Sequence, residues 1–264
     1  MHTLLYDVAL AQTSSTHQAF PTMPPMLEEI DSQPSALGLI SLRRRRLPAF
    51  GDRDIYEVKL GEEFLMSSLF VEAEEALATL GLAALQGDKL SVVVGGLGLG
   101  YTAVAALKDQ RIEELFVVDA LDTVINWHKN EQVPLGKILN ADARNHYVHG
   151  SFFELATNPG VGFTPEGKNK TVDAILLDID HSPTEFLNSG NASFYSTKNL
   201  SLMAEQLKPK GVFAMWSQNL PEKSFEELLK TVFEHVESHV IYFYNPFQNC
   251  ESSNSVYVCV KGDA

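Results

Sequence analysis

Between positions 90 and 119 the apolar residues fall into two compact runs. The first, Leu90-Ser-Val-Val-Val-Gly-Gly-Leu-Gly-Leu-Gly100, reads as a buried strand entering a tight glycine turn, and positions 101–107 begin a helix. The second, Leu115-Phe-Val-Val-Asp119, reads as a strand whose last residue is an acid. Val172-Asp-Ala-Ile-Leu-Leu-Asp178 has the same form, and 211–216 is a further buried strand. Helical periodicity is predicted over 67–85, 123–130, 194–207 and 221–235, with a short strand at 147–149 and a surface loop at 158–170. The chain closes with β-rich segments at 240–244 and 255–260. Strands alternating with helices, then a terminal hairpin, specify an α/β chain with a mostly parallel sheet and an antiparallel strand at one side.

The N-terminal part follows another pattern. Residues 12–36 are rich in Ser, Thr, Pro and Gln, so 1–36 reads as an irregular leader. Strand-like segments at 39–47 and 54–66, with a turn at Gly61, place a small β unit over 37–75 ahead of an α/β domain over 76–264. Arg43, Arg44, Arg45 and Arg46 point to both faces of their strand, which suits a solvated edge protected by charge. A homodimer contact is expected at this β unit and arginine edge.

Composition narrows the class. A chain of 264 residues, 45% of them hydrophobic, can bury a full core. A net charge of −14 argues against a nucleic-acid partner and suits a cationic ligand. Two cysteines, Cys250 and Cys259, are too few to staple a secreted domain, so a cytoplasmic location is expected. No apolar run is long enough to span a membrane, and 1–11 contains Asp7 but no Lys or Arg, unlike a signal peptide.

The glycine spacing selects the cofactor. Glycine lacks a Cβ, so it permits a sharp turn and close approach of a ligand to the backbone. The pattern is G-x-G-x-G at Gly96, Gly98 and Gly100, directly after Gly95. A dinucleotide fingerprint would need glycine where Tyr101 stands. This favours an S-adenosyl cofactor over NAD, with Asp119 accepting hydrogen bonds from the ribose hydroxyls. In an open α/β sheet the ligand lies beyond the C-terminal strand ends. The site is therefore expected at the glycine turn, Asp119, the cluster Asp178-Ile-Asp-His181, and 216–218. Asp180 alternates with Asp178, so one of the two points away from the ligand. Asp180 or His181 is a candidate acceptor for the proton that an amine or hydroxyl sheds, and Tyr195, Trp216 and Gln218 are candidate pocket walls. His146 with His149 and His235 with His239 lack supporting ligands, so no metal is expected.

Taken in order, Val93-Val-Gly-Gly-Leu-Gly-Leu-Gly100, Val117-Val-Asp-Ala-Leu-Asp-Thr-Val-Ile125, Asp142-Ala-Arg144, Ala174-Ile-Leu-Leu-Asp-Ile-Asp-His-Ser-Pro183 and Phe194-Tyr195 resemble the spermidine synthase family. Leu65-Met-Ser-Ser68 and Ala214-Met-Trp-Ser217 make the chain similar to its bacterial spermidine synthase-like branch. The resemblance covers roughly 39–220. It implies the Rossmann-like class I methyltransferase fold, with a seven-stranded, mostly parallel sheet, an antiparallel C-terminal hairpin and a small N-terminal β unit. It also implies roles. Asp119 stands at the ribose-binding acid, Ser151 where an acid meets the adenine amino group, and Asp178 at the acid that helps to deprotonate the attacking amine.

Three positions depart from the family. Gly98 replaces the acid that pairs with the donor's aminopropyl amine, and His181 replaces the second strand-end Asp, which grips a diamine. The helix before the first parallel strand lacks the Asp-Glu-x-x-Tyr-His signature. An intact cofactor half beside an altered amine-gripping half leads to an expectation of methyl transfer from S-adenosylmethionine to a small acceptor. Aminopropyl transfer from decarboxylated S-adenosylmethionine and a non-catalytic nucleoside-binding protein are the alternatives.

Overall fold

The computed structural model describes residues 26–47, 53–164 and 170–263. The expectations for 1–25, including the reading of 1–11, and for 165–169 of the surface loop lie outside the described residues.

Two sheets organise the chain. The first is antiparallel and four-stranded, formed in spatial order by β1 (Met26–Ser35), β2 (Gly38–Arg46), β3 (Ile55–Leu60) and β4 (Glu63–Ser67). The irregular leader expected over 1–36 therefore ends early, because 26–35 is a strand. It escaped notice because an exposed edge strand carries few apolar residues and this one includes Pro34. The arginine strand is also corrected: β2 lies between β1 and β3, not at an edge. Its arginines are matched across the ladders, Arg43 and Arg44 with Glu29 and Glu28 of β1, and Arg45 with the buried Glu57 of β3. Arg46 pairs with Asp54.

The second sheet is built from apolar runs that alternate in facing. After α1 (Glu72–Ala83) come β5 (Leu90–Gly95), α2 (Tyr101–Leu107), β6 (Ile112–Asp119), α3 (Asp122–Lys129), α4 (Gly136–Ala141), β7 (Asn145–His149), α5 (Phe152–Ala156) and β8 (Val172–Leu177). A 3-10 turn (Ser189–Phe194), α6 (Thr197–Glu205), β9 (Leu207–Ser217), α7 (Lys223–Leu229), β10 (His235–Asn245) and β11 (Cys250–Val260) complete the chain. The strand order is β10-β11-β9-β8-β5-β6-β7, with β11 antiparallel to both its neighbours. Val92 and Val94 face one core together with Leu115, Val117 and Leu176; Val93 faces the other with Phe116, Val118 and Ile175. Period-two alternation within wholly apolar strands thus supplies both sides of a three-layer domain. The helix boundaries expected at 67–85, 194–207 and 221–235 contract to α1, α6 and α7. The short helices α4 and α5 had no signal strong enough to read.

The sheets meet at defined contacts. The indole N–H of Trp127 on α3 donates to Asp31 Oδ2 on β1 at 2.7 Å, and the same bond holds the Asp31 carboxyl below its usual range. Beneath the glycine turn, His128 of α3 is fully buried with Nε2 3.0 Å from the Gly98 carbonyl oxygen. Burial pushes this imidazole down to about 4, against the smaller opposing effect of that hydrogen bond. Among the described residues no helix is long and apolar enough to cross a membrane.

Two outcomes follow for stability. Asp31→Asn weakens the Trp127 bond from charge-assisted to neutral and is expected to cost about 1 kcal/mol, measured as a lower Tm in thermal unfolding. For His128 the folded state favours the neutral ring, so its contribution is fully present above the unfolded value near 6.5 and is lost as pH falls through about 4. Denaturant unfolding across that window should show up to about 3 kcal/mol more acid loss in the natural protein than in His128→Gln, which keeps a donor but does not titrate.

Candidate functional site

Strand ends and loops enclose a cavity of about 610 Å³ over the C-terminal edge of β5, β6, β8 and β9, roofed by the N-terminal sheet. Because β6 and β7 lie on one side of β5, and β8, β9, β11 and β10 on the other, the cavity has two ends.

The end over β5 and β6 is made by the glycine turn and Asp119. Gly96 and Gly98 both line the cavity with positive φ, +96° and +47°, and Gly100 initiates α2 at +90°. A Cβ on Gly96 would collide with the Asp178 carbonyl oxygen, and one on Gly98 would collide with Met66 Sδ from β4. A side chain at position 98 would have to displace the Met66 side chain of the N-terminal sheet and adopt a left-handed backbone; Leu99 N–H also approaches Met66 Sδ at 3.1 Å. Asp119 accepts from Leu97 N–H at 3.0 Å and Leu121 N–H at 2.8 Å. Burial raises its carboxyl and these backbone bonds oppose the rise. Backbone N–H groups of Leu121, Leu97 and Gly98 surround the carboxylate, which retains acceptor capacity toward the cavity. Ser151 lines the cavity, but its hydroxyl caps α5 by accepting from Glu154 N–H at 3.3 Å. The acid at this corner is Glu154 itself, also on the lining.

In the middle lies a carboxyl pair. Asp178, at the end of β8, accepts from Thr102 Oγ1 at 2.7 Å, and Thr102 in turn reaches the Glu74 carbonyl at 3.4 Å. Glu74 of α1 shares the cavity with Asp178. Burial pushes both carboxyls up, and repulsion from Asp178 carries Glu74 further, so Glu74 keeps a proton to higher pH than Asp178. In the sequence Glu74 is one of three acids, with Glu72 and Glu75, near the start of an amphipathic helical segment, and nothing local separates it from them. The signal that distinguishes it is tertiary, since α1 packs against α2 and against β8, β9, β10 and β11 and turns this first-turn acid inward.

The loop after β8 separates the two alternating acids. Asp180 is buried and accepts from Leu187 N–H, Asn191 Nδ2 and Tyr195 Oη, each at 2.8 Å. It is absent from the cavity lining, as is Tyr195, which packs among Phe153, Phe186, Phe194 and Phe225. Asp180 and Tyr195 therefore fix the loop that positions Asp178. Neither stands in the cavity as the proton acceptor or wall that the sequence suggested. His181 does line it, with Nε2 2.8 Å from Glu63 Oε1 of β4, joining this loop to the N-terminal sheet.

The end over β9, β11 and β10 is apolar or neutral. Trp216 and Gln218 are on the lining as expected, together with Phe70, Phe243 and Asn254. Phe70 and Phe243 are in aromatic contact, with ring centroids 5.4 Å apart. Among the described residues no group of three His, Cys, Asp or Glu side chains is arranged to hold a metal ion. The cavity thus brings together Gly96, Gly98, Asp119, Ser151, Asp178, His181, Trp216 and Gln218; Gly95 and Gly100 support the turn from behind, and Asp180 and Tyr195 act from outside. Glu74, Met66, Phe243 and Glu154 are the additions that sequence reading missed.

No protein-family model matches the chain. A curated relative, the polyamine aminopropyltransferase of Aeropyrum pernix, is 24% identical over 173 residues, covering 60% of this chain and 48% of the relative. The chain therefore spans about half the length of the curated relative it matches. Among solved structures, a spermidine synthase in complex with the transition-state analogue AdoDATO superposes with a TM-score of 0.68 at 16% identity, over 89% of this chain and 74% of that one. The spermidine synthase of Thermotoga maritima gives 0.66 at 16% identity, with the same coverage. The chain has the spermidine synthase fold, an α/β domain with a mostly parallel seven-stranded sheet preceded by a small antiparallel sheet.

Proposed function

We propose that the chain is a transferase that moves an aminopropyl group from decarboxylated S-adenosylmethionine to an amine. The observation that carries this reading is the charge inventory of the cavity: Glu74, Asp119, Glu154 and Asp178 line it, and its described lining contains no lysine or arginine. A carboxylated donor would bring an anion into this field without a partner, whereas the decarboxylated donor brings only cationic groups. The fold neighbours and the curated aminopropyltransferase support the same direction. The methyl-transfer expectation is therefore set aside. It rested on the loss of acids at 98 and 181, and Glu74 supplies from α1 a carboxyl that the glycine loop lacks.

An alkyl sulfonium supplies an electrophilic carbon beside a good leaving group. The residues of this chain then have three tasks. Asp119 and the glycine turn hold the nucleoside end, and Glu154 is placed to meet the adenine amino group. Glu74 neighbours the donor's propylamine, whose ammonium lowers the proton affinity that burial and Asp178 raise in the free cavity, so the two bind as an ion pair. Asp178, with the lower affinity for a proton of the two central acids, accepts the proton that the attacking nitrogen loses as the new C–N bond forms and the C–S bond breaks. Thr102, bonded to one Asp178 oxygen, leaves the other oxygen to face the amine. Burial under Met66 and the N-terminal sheet keeps these charges out of bulk water, where positioning is most effective.

Calorimetry should show tighter binding of the decarboxylated donor than of S-adenosylmethionine by tenfold or more, and the reaction should release methylthioadenosine in step with an aminopropylated amine. Methylated product without methylthioadenosine would overturn the reading. Asp178→Asn should lower kcat by about 10²–10⁴-fold with the donor still bound. In the free cavity Glu74 is still protonated while Asp178 ionises, so Glu74→Gln removes no charge there and the acid limb of kcat/KM against pH should stay in place. A limb that moves to lower pH would show that Glu74 carries its charge before Asp178.

A further inference from the structure

The transferase reading leaves the acceptor open, and the end of the cavity over β9, β10 and β11 bears on it. A diamine carries two ammonium groups separated by an apolar chain. One of them, the attacking amine, belongs at Asp178. The other must lie farther from the donor, on the side of β5 away from β6, because the nucleoside end occupies the β6 side.

The strand ends and loops bring Phe70, Trp216, Phe243, Leu187 and the neutral amides Gln218 and Asn254 of the lining to that side. The lining carboxylate of α1, which packs on β9, β10 and β11, is Glu74, already engaged by the donor's propylamine in the transferase reading. His181, whose carbonyl accepts from Gln218 N–H at 2.7 Å, has its ring Nε2 2.8 Å from Glu63 Oε1, so the Glu63 carboxyl is already engaged. Asp180, on the same loop, is turned inward and accepts three hydrogen bonds from the protein. A second ammonium placed here would meet aromatic faces and neutral amides without a carboxylate left to pair with it, whereas an alkyl or aromatic tail would cover the half-buried Phe70, Phe243 and Trp216. We infer that the acceptor is a primary monoamine with an apolar tail, whose amine lies at Asp178 and whose tail occupies the aromatic end formed by Phe70, Trp216 and Phe243.

This inference rests on the transferase reading, and one pair of probes separates the two. Hexylamine and 1,6-diaminohexane have the same chain and differ only in the second amine. Each is titrated calorimetrically into the full chain saturated with methylthioadenosine, and each is then offered as acceptor with the decarboxylated donor. Hexylamine is expected to bind at least tenfold more tightly and to be the better acceptor. Phe243→Ser should weaken hexylamine about fivefold or more without altering methylthioadenosine affinity. Gln218→Glu, at an exposed position, should narrow or reverse the ratio by supplying the missing counter-ion. Equal or tighter binding of the diamine to the natural protein overturns the monoamine inference; release of methylthioadenosine with that diamine leaves aminopropyl transfer standing. If methylthioadenosine itself does not bind, the transferase reading falls, and the acceptor inference falls with it.

Discussion

The Gly96 α-carbon lies so close to the Asp178 main chain that a Cβ would occupy the place of the Asp178 carbonyl oxygen. This approach is closed by the Asp178 N–H bond to the Gly95 carbonyl at 2.8 Å, which extends the β5–β8 ladder by one residue past the strand ends. The glycine turn and Asp178 are therefore parts of one rigid junction. Thr102, at the start of α2, bonds to Asp178 and ties α2 to the same point, while Asp119 holds the turn from β6 through Leu97 N–H. A glycine at this single position lets three chain segments converge on a space only one cavity wide.

The N-terminal sheet completes what that junction begins. Met66 fills the space beside Gly98, Glu63 engages His181, and Phe64 and Leu65 join the lining. The sheet is in turn fixed by the acid–arginine ladder between β1, β2 and β3 and by the Trp127–Asp31 bond to α3. The four arginines hold together the roof of the cavity and are internal to that sheet. Charge that looks like a surface signal in one dimension becomes matched pairs once the strands align.

The charges around the cavity are set jointly by the N-terminal sheet and α1. Met66 lies beside Gly98, the histidine at 181 reaches Glu63, and α1 brings the carboxyl of Glu74 to the lining. The cavity holds its central carboxyl pair while its far end is aromatic.

The α/β class, the parallel centre of the sheet, the glycine turn and the positions of Asp119 and Asp178 at strand ends could all be read from the chain alone. Each rests on a local pattern, such as an apolar run, a glycine spacing or an acid at a strand tip, whose physical meaning does not depend on distant partners. β1 was not legible because an edge strand buries too little to show periodicity, and α4 and α5 are too short to establish one. The inward turn of Glu74, the diversion of Asp180 and Tyr195 to holding a loop, the capping duty of Ser151 and the aromatic end around Phe243 were decided only by tertiary packing. A carboxyl three residues into a helix, or one of two alternating acids, is chemically identical whether it faces water, a loop amide or a substrate. Only the packing of α1 on the sheet and the folding of 181–195 back onto Asp180 fix which environment each acid receives.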